Sequence, residues 1–365
     1  MNRSPRILVV RRDNIGDLIC TTPLLHGLRQ RYPSAYIAVL ASSYNTAVLD
    51  GNPDVDAVHV YLKRQQKSLG LRLWQLLLQR WRLERELRRQ RFDYVLLANG
   101  GLRYARKLGG KTVVGFRERD NPDSRQPDIV VPLANRGRDD HEVRKMALLG
   151  EAIGVPNADG RTWLFPDAAR AAGVRQRLLQ DGWQAERPTV AVHISSRQPV
   201  QRWTEEGFIG LIREIVDRHG EQVLLLWSPG AENDPMHPGD DEKAARIVAA
   251  LPGLPVFPCA TACLQDLVAT LSLADCMACS DGGAMHVAAA LGKPILCFFG
   301  HSNAVEWHPW KVPHVLLQPE SRQVKDISLE EALAAFAKLR SMCDDTQLRL
   351  ASEPAVLGIN GAGKE

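Results

Sequence analysis

The sequence has no uninterrupted apolar run near the ~18 residues that a helix needs to cross a bilayer. Its first apolar run, residues 7–10, is followed at once by Arg11 and Arg12, and it is too short for the apolar region of a secretion signal. From these two absences we expect no membrane span and a cytoplasmic location.

Cysteines are few, and their number, seven, is odd. They are scattered through apparent strands and helices, which gives no disulfide framework and suits a reducing compartment. Cys259, Cys263, Cys276 and Cys279 could be read as four metal ligands. We favour small buried hydrophobes instead, because the last two lie in the apolar segment 273–279. No other metal or cofactor pattern is visible, so we expect neither.

Acidic charge is scarce in the first half of the chain. Residues 1–165 carry a net charge of +11 and residues 166–365 carry −7, which together give the overall +4. The basic half should face an anionic partner, such as a phosphorylated substrate, a nucleic acid or an acidic membrane surface. No nucleic-acid-binding module is recognisable, so we expect no nucleic acid partner.

Strand and helix patterns alternate along the chain in two similar halves. This alternation predicts an α/β protein of two Rossmann-like, doubly wound domains facing a central cleft. We place the domains at residues 1–165 and 166–343 and expect a disordered tail at 344–365. The predicted strands lie at 6–10, 36–41, 57–61, 93–98, 112–115, 189–194, 222–227, 256–258, 273–279 and 295–299. The helices that matter below are predicted at 18–31, 69–91, 141–153 and 328–342, with a loop at 117–138.

A glycine-rich turn at residues 281–283 follows one of these strands and begins a helix of small residues, 284–291. The turn places the backbone N–H groups of Gly282, Gly283 and Ala284 at a helix N-terminus, which suits a phosphate or diphosphate. Such turns are also common as plain connections in α/β folds, so the segment is weak evidence alone.

The predicted helix 69–91 is strongly basic, with seven arginines against two glutamates. Its apolar stripe of leucines and tryptophans should pack on the domain core, with the arginines outside. A solvated charged face is the ordinary alternative. The excess of cations favours peripheral, salt-sensitive contact with an anionic membrane without insertion. The stripe comprises Leu71, Trp74, Leu78, Trp81 and Leu87.

Four motifs, spread in order over almost the whole chain, resemble the family 9 glycosyltransferases, the heptosyltransferases of the lipopolysaccharide inner core. They are R-R-D-N-I-G-D-L-I-C-T-T-P at 11–23, H-I-S-S-R-Q-P-V-Q-R-W at 193–203, L-W-S-P-G at 226–230 with Asp241-Glu242, and D-G-G-A-M-H-V-A-A-A-L at 281–291 with F-F-G at 298–300. Two positions depart from the family pattern: Gln201 stands where lysine is usual, and Gly282 where threonine is common.

The resemblance implies a GT-B fold and an inverting, metal-independent glycosyltransferase. It implies transfer of L-glycero-D-manno-heptose from its ADP-activated donor to a hydroxyl of the inner core, at the inner membrane. Asp17 would be the catalytic base, and we expect Asp13, Asn14 and Arg103 to contact the acceptor. The donor-binding residues would be Arg197, Arg202, Glu242, Asp281, Gly282, Gly283, Ala284 and His286.

These roles have simpler alternatives. Asp17 would also suit a helix N-cap, with Asp13 as the rival base. Arg202 could be a solvated loop residue, Glu242 a capping acid and His286 a core residue.

The function itself also has alternatives. A family 9 transferase using another nucleotide sugar, an epimerase on the same fold, and a member that binds a nucleotide sugar without turnover all remain open. Gln201, which stands in place of the usual lysine, keeps the last of these open.

Overall fold

The computed structural model describes residues 4–62, 73–117, 126–133, 137–234 and 238–352. These residues form two six-stranded sheets in which every neighbouring pair of strands is parallel. Within this part of the chain, no helix is both long enough and apolar enough to span a bilayer.

The first sheet has the strand order β3-β2-β1-β4-β5-β6. Its strands are β1 (Arg6–Val10), β2 (Tyr36–Ser42), β3 (Ala57–Tyr61), β4 (Tyr94–Leu97), β5 (Thr112–Phe116) and β6 (Ile129–Val131). The accompanying helices are α1 (Ile15–Ile19), α2 (Thr22–Arg31), α3 (Leu73–Gln90), α4 (Leu102–Lys107) and α5 (Glu142–Glu151).

The second sheet has the order β12-β11-β10-β7-β8-β9, which is the same winding. Its strands are β7 (Thr189–His193), β8 (Gln222–Trp227), β9 (Val256–Ala260), β10 (Cys276–Ser280), β11 (Ile295–Phe298) and β12 (His314–Leu317). The helices are α6 (Ala168–Gln180), α7 (Glu205–Asp217), α8 (Asp241–Ala249), α9 (Leu264–Ser272), α10 (Gly283–Ala290), α11 (Ala304–Trp307) and α12 (Leu329–Ser352).

In each sheet the first strand, β1 or β7, lies near the centre, and the later strands follow outward on its two sides, as in a Rossmann domain. The central strands read as near-continuous apolar runs because helices cover both faces of a parallel sheet. The predicted α/β, GT-B arrangement of two Rossmann-like domains is therefore confirmed. The proposed boundary after residue 165 falls between α5 and α6.

The two domains contact each other through α1 and α10. A Cβ on Gly16 of α1 would lie 2.5 Å from Cδ2 of His286, so glycine lets these helices approach. Beside them, Trp310 of the second domain packs with Cys20 and Val143 of the first. The first βα turn of one domain is thereby held against the glycine-rich turn of the other.

Several predicted boundaries are wrong. The helix predicted at 18–31 is two helices, because the chain turns at Cys20 and Thr21 before α2 begins at Thr22, with Pro23 in its first turn. The predicted loop 117–138 contains the short strand β6, and β12 was not predicted at all. The last helix continues to Ser352, so residues 344–352 are helical rather than part of a disordered tail. Residues 353–365 lie outside the described part.

The orientation predicted for α3 is also wrong. Trp74 and Trp81, assigned to the core, are 58% and 54% exposed. Among the described side chains of this helix, Leu76 and Leu87 are buried, and they lie on the side opposite the tryptophans. The burial predicted for Leu87 is thus confirmed. Residues 69–72 of the predicted helix, Leu71 among them, are outside the described part.

Candidate active site

A cavity of about 540 Å³ opens between the two domains, at the carboxyl ends of β1 and of the second sheet's central strands. Its walls are the start of α1, the loop after β7 and the start of α10. The predicted site residues that line it are Asn14, Asp17, Arg197, Asp281, Gly282, Gly283, Ala284 and His286; Asp13, Arg103, Arg202 and Glu242 lie outside its lining.

Both oxygens of the Asp17 carboxylate are held by hydrogen bonds. Oδ1 accepts from Nη2 of Arg11 at 2.7 Å. Oδ2 accepts from the backbone N–H of Asn14 at 3.2 Å and from its Nδ2 at 2.9 Å, which forms a capping box at the start of α1. The N-cap is thus Asn14, and Asp17 stands at the third helical position. From that position Asp17 completes the capping box and also faces the cavity, so its structural role and its proposed catalytic role are compatible.

Arg11 forms ion pairs with three carboxylates on this side of the cavity. Its side chain is 2% exposed at the end of β1, and its guanidinium contacts Asp13, Asp17 and Glu142 at 3.0, 2.7 and 2.8 Å. Burial alone would lower the pKa of Arg11, but the three carboxylates raise it above its usual range. Arg11 is therefore a permanent cation that fixes the carboxylate of Asp17.

The network continues across the domain boundary. Glu142 also accepts from Nζ of Lys145 at 2.6 Å, and Lys145 is paired with Glu306 of the second domain. A chain of buried and partly buried charges thus connects Asp17, through Arg11, Glu142 and Lys145, to Glu306 of the second domain.

Asp13, the rival base, lies beside Arg11 and away from the cavity. Burial raises its pKa to about 6, although Arg11 lowers it, and the nearby Asp17 adds to the rise. Of the other predicted acceptor residues, Asn14 lies on the cavity wall, whereas Arg103 is exposed on α4. The geometry thus places Asp17, and not Asp13, against the cavity.

Asp281 lies at the end of β10, with 8% of its surface exposed. Nε2 of Gln201 donates to Asp281 Oδ2 at 2.8 Å and to Ser302 Oγ at 2.9 Å. Burial raises the pKa of Asp281, while Ser302, His286 and Gln201 oppose the rise. Gln201 therefore takes part in the site as a neutral donor to this carboxylate.

The N-terminus of α10 faces the cavity through Gly282, Gly283 and Ala284. A Cβ on Gly282 would meet nothing within 4 Å, so the absence of a side chain leaves open space there. The unpaired N–H groups and the positive end of the helix dipole are suited to an anion in that space.

His286 is 5% exposed and lies between α10 and α1, with its ring 5.9 Å from that of Trp307. Burial lowers its pKa, and the carboxylates of Asp281, Asp17 and Glu142 only partly oppose this. His286 is therefore both a core residue and a site residue. It is buried at the contact between the two domains, and it also lines the cavity.

The two predicted phosphate-binding arginines differ in their surroundings. Arg197 is exposed and is the only arginine or lysine among the described residues that line the cavity. Arg202 is partly buried, and its Nε donates to the carbonyl of Ser196 at 2.9 Å, which braces the loop after β7.

Glu242 is exposed at the start of α8, where its carboxylate accepts from the N–H of Glu232 at 3.3 Å. Its neighbour Asp241 accepts from Trp227 Nε1 at 2.7 Å and from Gly230 N at 2.9 Å. Asp241 thereby anchors the loop after β8, whose residues Ser228, Pro229 and Pro238 form one end of the cavity.

Sequence reasoning gave no role to Arg11, Glu142, Lys145 or Glu306. Arg11 carried a signal, because a charged residue that ends a buried strand and precedes two aspartates needs a partner. The other three are far apart in the chain, and only the fold brings them together. Ser302 and Trp307, which also line the cavity, come from a loop and a short helix that were not predicted.

The four cysteines that could also be read as metal ligands do not form a cluster in the described part of the chain. Cys259, Cys276 and Cys279 are buried, whereas Cys263 is exposed. In the described residues, no group of three or more histidine, cysteine, aspartate or glutamate side chains has the geometry of a metal site.

A second cavity of about 510 Å³ lies between α7 and α12 and contains none of the predicted site residues.

Two Rossmann-like domains that bring a carboxylate and a glycine-rich helix N-terminus to one cleft have the architecture of the GT-B fold. The sequence profile of glycosyltransferase family 9 (heptosyltransferase) matches residues 80–334. The chain belongs to this family, and the protein is a glycosyltransferase.

Curated relatives and solved structures agree with this assignment. The chain is 27% identical to lipopolysaccharide heptosyltransferase 1 of Pseudomonas aeruginosa, over 82% of this chain and 79% of that one. It is 24% identical to lipopolysaccharide heptosyltransferase 2 of Salmonella typhimurium, over 82% and 83%.

Among solved structures, a family 9 glycosyltransferase from Veillonella parvula superposes with a TM-score of 0.77 at 19% identity, covering 93% of this chain and 97% of that one. The E. coli heptosyltransferase WaaC, solved with ADP, gives 0.72 at 16% identity, covering 92% and 99%. These likenesses show the fold.

Proposed function

We propose that the protein transfers heptose from ADP-L-glycero-D-manno-heptose to a hydroxyl of the lipopolysaccharide inner core, with inversion at the anomeric carbon. One observation carries the proposal: the oriented carboxylate of Asp17 faces the same cavity as the N-terminus of α10. The choice of donor and acceptor is supported by the names of the relatives, which are lipopolysaccharide heptosyltransferases.

In the proposed reaction, the Asp17 carboxylate accepts the proton of the acceptor hydroxyl. The acceptor oxygen forms a bond to the anomeric carbon as the bond from that carbon to the diphosphate oxygen breaks, and ADP leaves with the bonding electrons. A single displacement of this kind inverts the anomeric centre. Arg11 and Asn14 keep the base in one orientation, so no reorganisation is needed during the reaction.

In the proposed reaction, groups of the second domain stabilise the negative charge that develops on the departing diphosphate. The N–H groups of Gly282, Gly283 and Ala284 at the start of α10 would donate to the diphosphate, and Arg197, which lines the same cavity, would supply a cation. Arg202 braces the loop that carries Arg197. In this account, the arginine and the helix dipole provide the counter-charge, so the proposed reaction requires no bound metal.

The remaining predicted contacts complete the proposal. Asp281, held by Gln201, would accept from donor-sugar hydroxyls, and Glu242 would approach the ribose from the start of α8. Asp13, Asn14 and Arg103 lie on the first domain, whose net charge of +11 suits an acceptor with phosphates and carboxylates. We place the enzyme in the cytoplasm, at the surface of the inner membrane.

The test is an acceptor-dependent assay with ADP-heptose and a heptose-deficient inner-core acceptor, in which ADP release and the anomeric configuration of the product are measured by NMR. We expect ADP release only with acceptor present, and an inverted product. Turnover of the donor without acceptor would instead support an epimerase. Binding of ADP-heptose with no turnover would support the binding-only alternative that Gln201 suggests, and preference for another nucleotide sugar would correct the donor.

A further inference from the structure

Four large apolar side chains stand out on the surface of α3. Trp74, Leu77, Leu78 and Trp81 are 58%, 56%, 36% and 54% exposed. Together they make up most of one side of the helix over two turns. Clustered exposure of this kind on a small area is typical of an interaction surface rather than of a solvated helix.

The positions of these residues in the sequence explain their clustering. Their spacing is i, i+3, i+4 and i+7, which places all four on one face of an α-helix. The same stripe continues toward the C-terminus of the helix as exposed arginines, and the guanidinium of Arg85 lies 5.3 Å above the Trp81 ring. One face of α3 is thus apolar in its first half and basic in its second; the basic half comprises Arg82, Arg85 and Arg89.

The opposite face anchors the helix to its domain. Leu76 and Leu87 are buried, and Leu83 packs against the same core cluster as Leu87. This anchoring means that the exposed tryptophans cannot turn inward without pulling those leucines out of the core. The outer stripe is therefore a fixed feature of the folded domain.

The apolar half of α3 lies at the same edge of the sheet as the candidate active site. The chain leaves β3 at its carboxyl end and later enters α3, and Arg80 of α3 donates to the carbonyl of Leu62 just past that strand. Arg80 also lies over the ring of Tyr61, which with Tyr104 flanks Arg12 at 4.5 and 4.3 Å. Arg12 is the immediate neighbour of the arginine that holds Asp17.

We propose that this face of α3 inserts into the interfacial region of an anionic bilayer, with Trp74, Leu77, Leu78 and Trp81 among the upper acyl chains and the arginines at the lipid phosphates. Tryptophan prefers the membrane interface, and a helix with an apolar stripe and basic flanks is the usual form of an interfacial anchor. The net positive charge of the first domain, +11 over residues 1–165, is complementary to anionic lipid.

This inference deepens the proposed function and rests on it for its purpose, since a lipid-linked acceptor has to reach Asp17 from a membrane. It replaces the expectation of electrostatic contact without insertion, because that expectation required the tryptophans to be in the core. Insertion at the carboxyl edge of the first sheet would present the cleft to acceptor molecules held in the same leaflet.

The experiment uses the full chain and vesicles of phosphatidylglycerol and phosphatidylethanolamine, with phosphatidylcholine vesicles as the neutral comparison. Co-sedimentation gives the binding constant, and lipids brominated at shallow acyl positions report insertion by quenching tryptophan fluorescence. The test variants are Trp74→Ser with Trp81→Ser, and Arg82→Gln with Arg85→Gln and Arg89→Gln. The matched control is Leu179→Ser, which removes a 47% exposed leucine from α6 of the other domain.

We expect wild type and the Leu179→Ser control to bind anionic vesicles equally, with quenching by the brominated lipid. The double tryptophan variant should bind at least tenfold more weakly and lose the quenching, and the triple arginine variant should lose the preference for anionic lipid. Circular dichroism establishes that each variant is folded. Wild-type binding without quenching, or a double tryptophan variant that binds as wild type does, would overturn the inference. So would a wild-type dimer in analytical ultracentrifugation that the double variant abolishes, since a second copy would then cover the face.

Turnover separates this inference from the proposed function. With a soluble, delipidated acceptor, the double tryptophan variant should match wild type, whereas with acceptor embedded in vesicles its rate should fall about tenfold. Equal rates on embedded acceptor would contradict membrane insertion and leave heptosyl transfer standing. Vesicle binding by wild type with no transfer to either acceptor would contradict heptosyl transfer and leave membrane insertion standing.

Discussion

Nη2 of Arg11 donates to Oδ1 of Asp17 at 2.7 Å, with the arginine almost fully buried at the end of β1. The same guanidinium contacts two further carboxylates, so its removal leaves an uncompensated cluster of negative charge. The orientation of the proposed base and the stability of the domain contact thus depend on one side chain.

Arg11→Met should destabilise the protein by about 3–5 kcal/mol, the usual cost of breaking a buried charge network from one side. Arg11→Lys keeps the charge but loses the planar fork that reaches several carboxylates at once, so we expect a smaller loss of stability and a fall in kcat of about tenfold. Urea unfolding and acceptor-saturated kinetics measure the two effects. A Lys variant with wild-type kcat would show that Arg11 does not position Asp17.

Arg197→Gln should weaken ADP binding about tenfold, because it removes the only arginine or lysine among the described lining residues of the cavity. Arg202→Gln should have a smaller effect, since Arg202 braces the loop from outside the lining. Isothermal titration with ADP compares them, with Arg213→Gln as a control, since Arg213 is an exposed arginine of α7 that does not line the cavity. A larger loss for Arg202 than for Arg197 would reverse the two roles.

Gln201→Lys should strengthen ADP binding by about tenfold at low salt, because it adds a cation beside Asp281 at the edge of the cavity. Gln201→Leu, which removes the donors to Asp281 and Ser302, should weaken binding of the ADP-sugar more than of ADP. Titrations at 50 and 500 mM salt test both changes. Unchanged ADP affinity in the lysine variant would place the diphosphate away from this residue.

His141 should make the domain contact sensitive to acid. Its Nδ1 accepts from the N–H of Val143 and its Nε2 contacts the carbonyl of His308 at 2.9 Å, so the neutral ring satisfies both partners. Burial lowers its pKa to about 3, although the His308 carbonyl opposes this. The unfolded chain therefore takes up the proton first, and stability should fall as the pH drops from about 6.5 toward 3, by up to about 1.4 kcal/mol per unit.

The comparison for that prediction is His141→Asn, which can still cap α5 but does not titrate. The unfolding free energies of wild type and variant, measured by urea between pH 4 and 8, should converge as the pH falls. Parallel curves over this range would mean that His141 does not contribute to acid sensitivity.

The Rossmann pattern could be predicted from the sequence because parallel strands are covered on both faces and read as short apolar runs between helices. The two turns that form the cavity could be predicted for a related reason: a glycine close to the start of a helix is a local signal. The short strands β6 and β12 were missed because three or four residues give too little periodicity to distinguish them from a loop.

The faces of α3 could not be predicted because its sequence holds two apolar stripes. Periodicity detects both the Leu76, Leu83 and Leu87 stripe and the Trp74, Leu77, Leu78 and Trp81 stripe, but it does not say which one meets the core. The network of Arg11 could not be predicted for a different reason, since Glu142 and Glu306 reach it only through the tertiary fold.

The proposed role of Asp17 as the base is tested most directly by the variant Asp17→Asn. Both its kcat and its affinity for ADP are compared with those of wild type. Asparagine can still accept from Asn14 in the capping box, so fold and donor binding should be preserved. If Asp17 is the base, kcat should fall by about 10² or more with ADP affinity unchanged, while Asp13→Asn stays within tenfold of wild type. A kcat for Asp17→Asn close to that of wild type, or a larger loss for Asp13→Asn, would contradict this role.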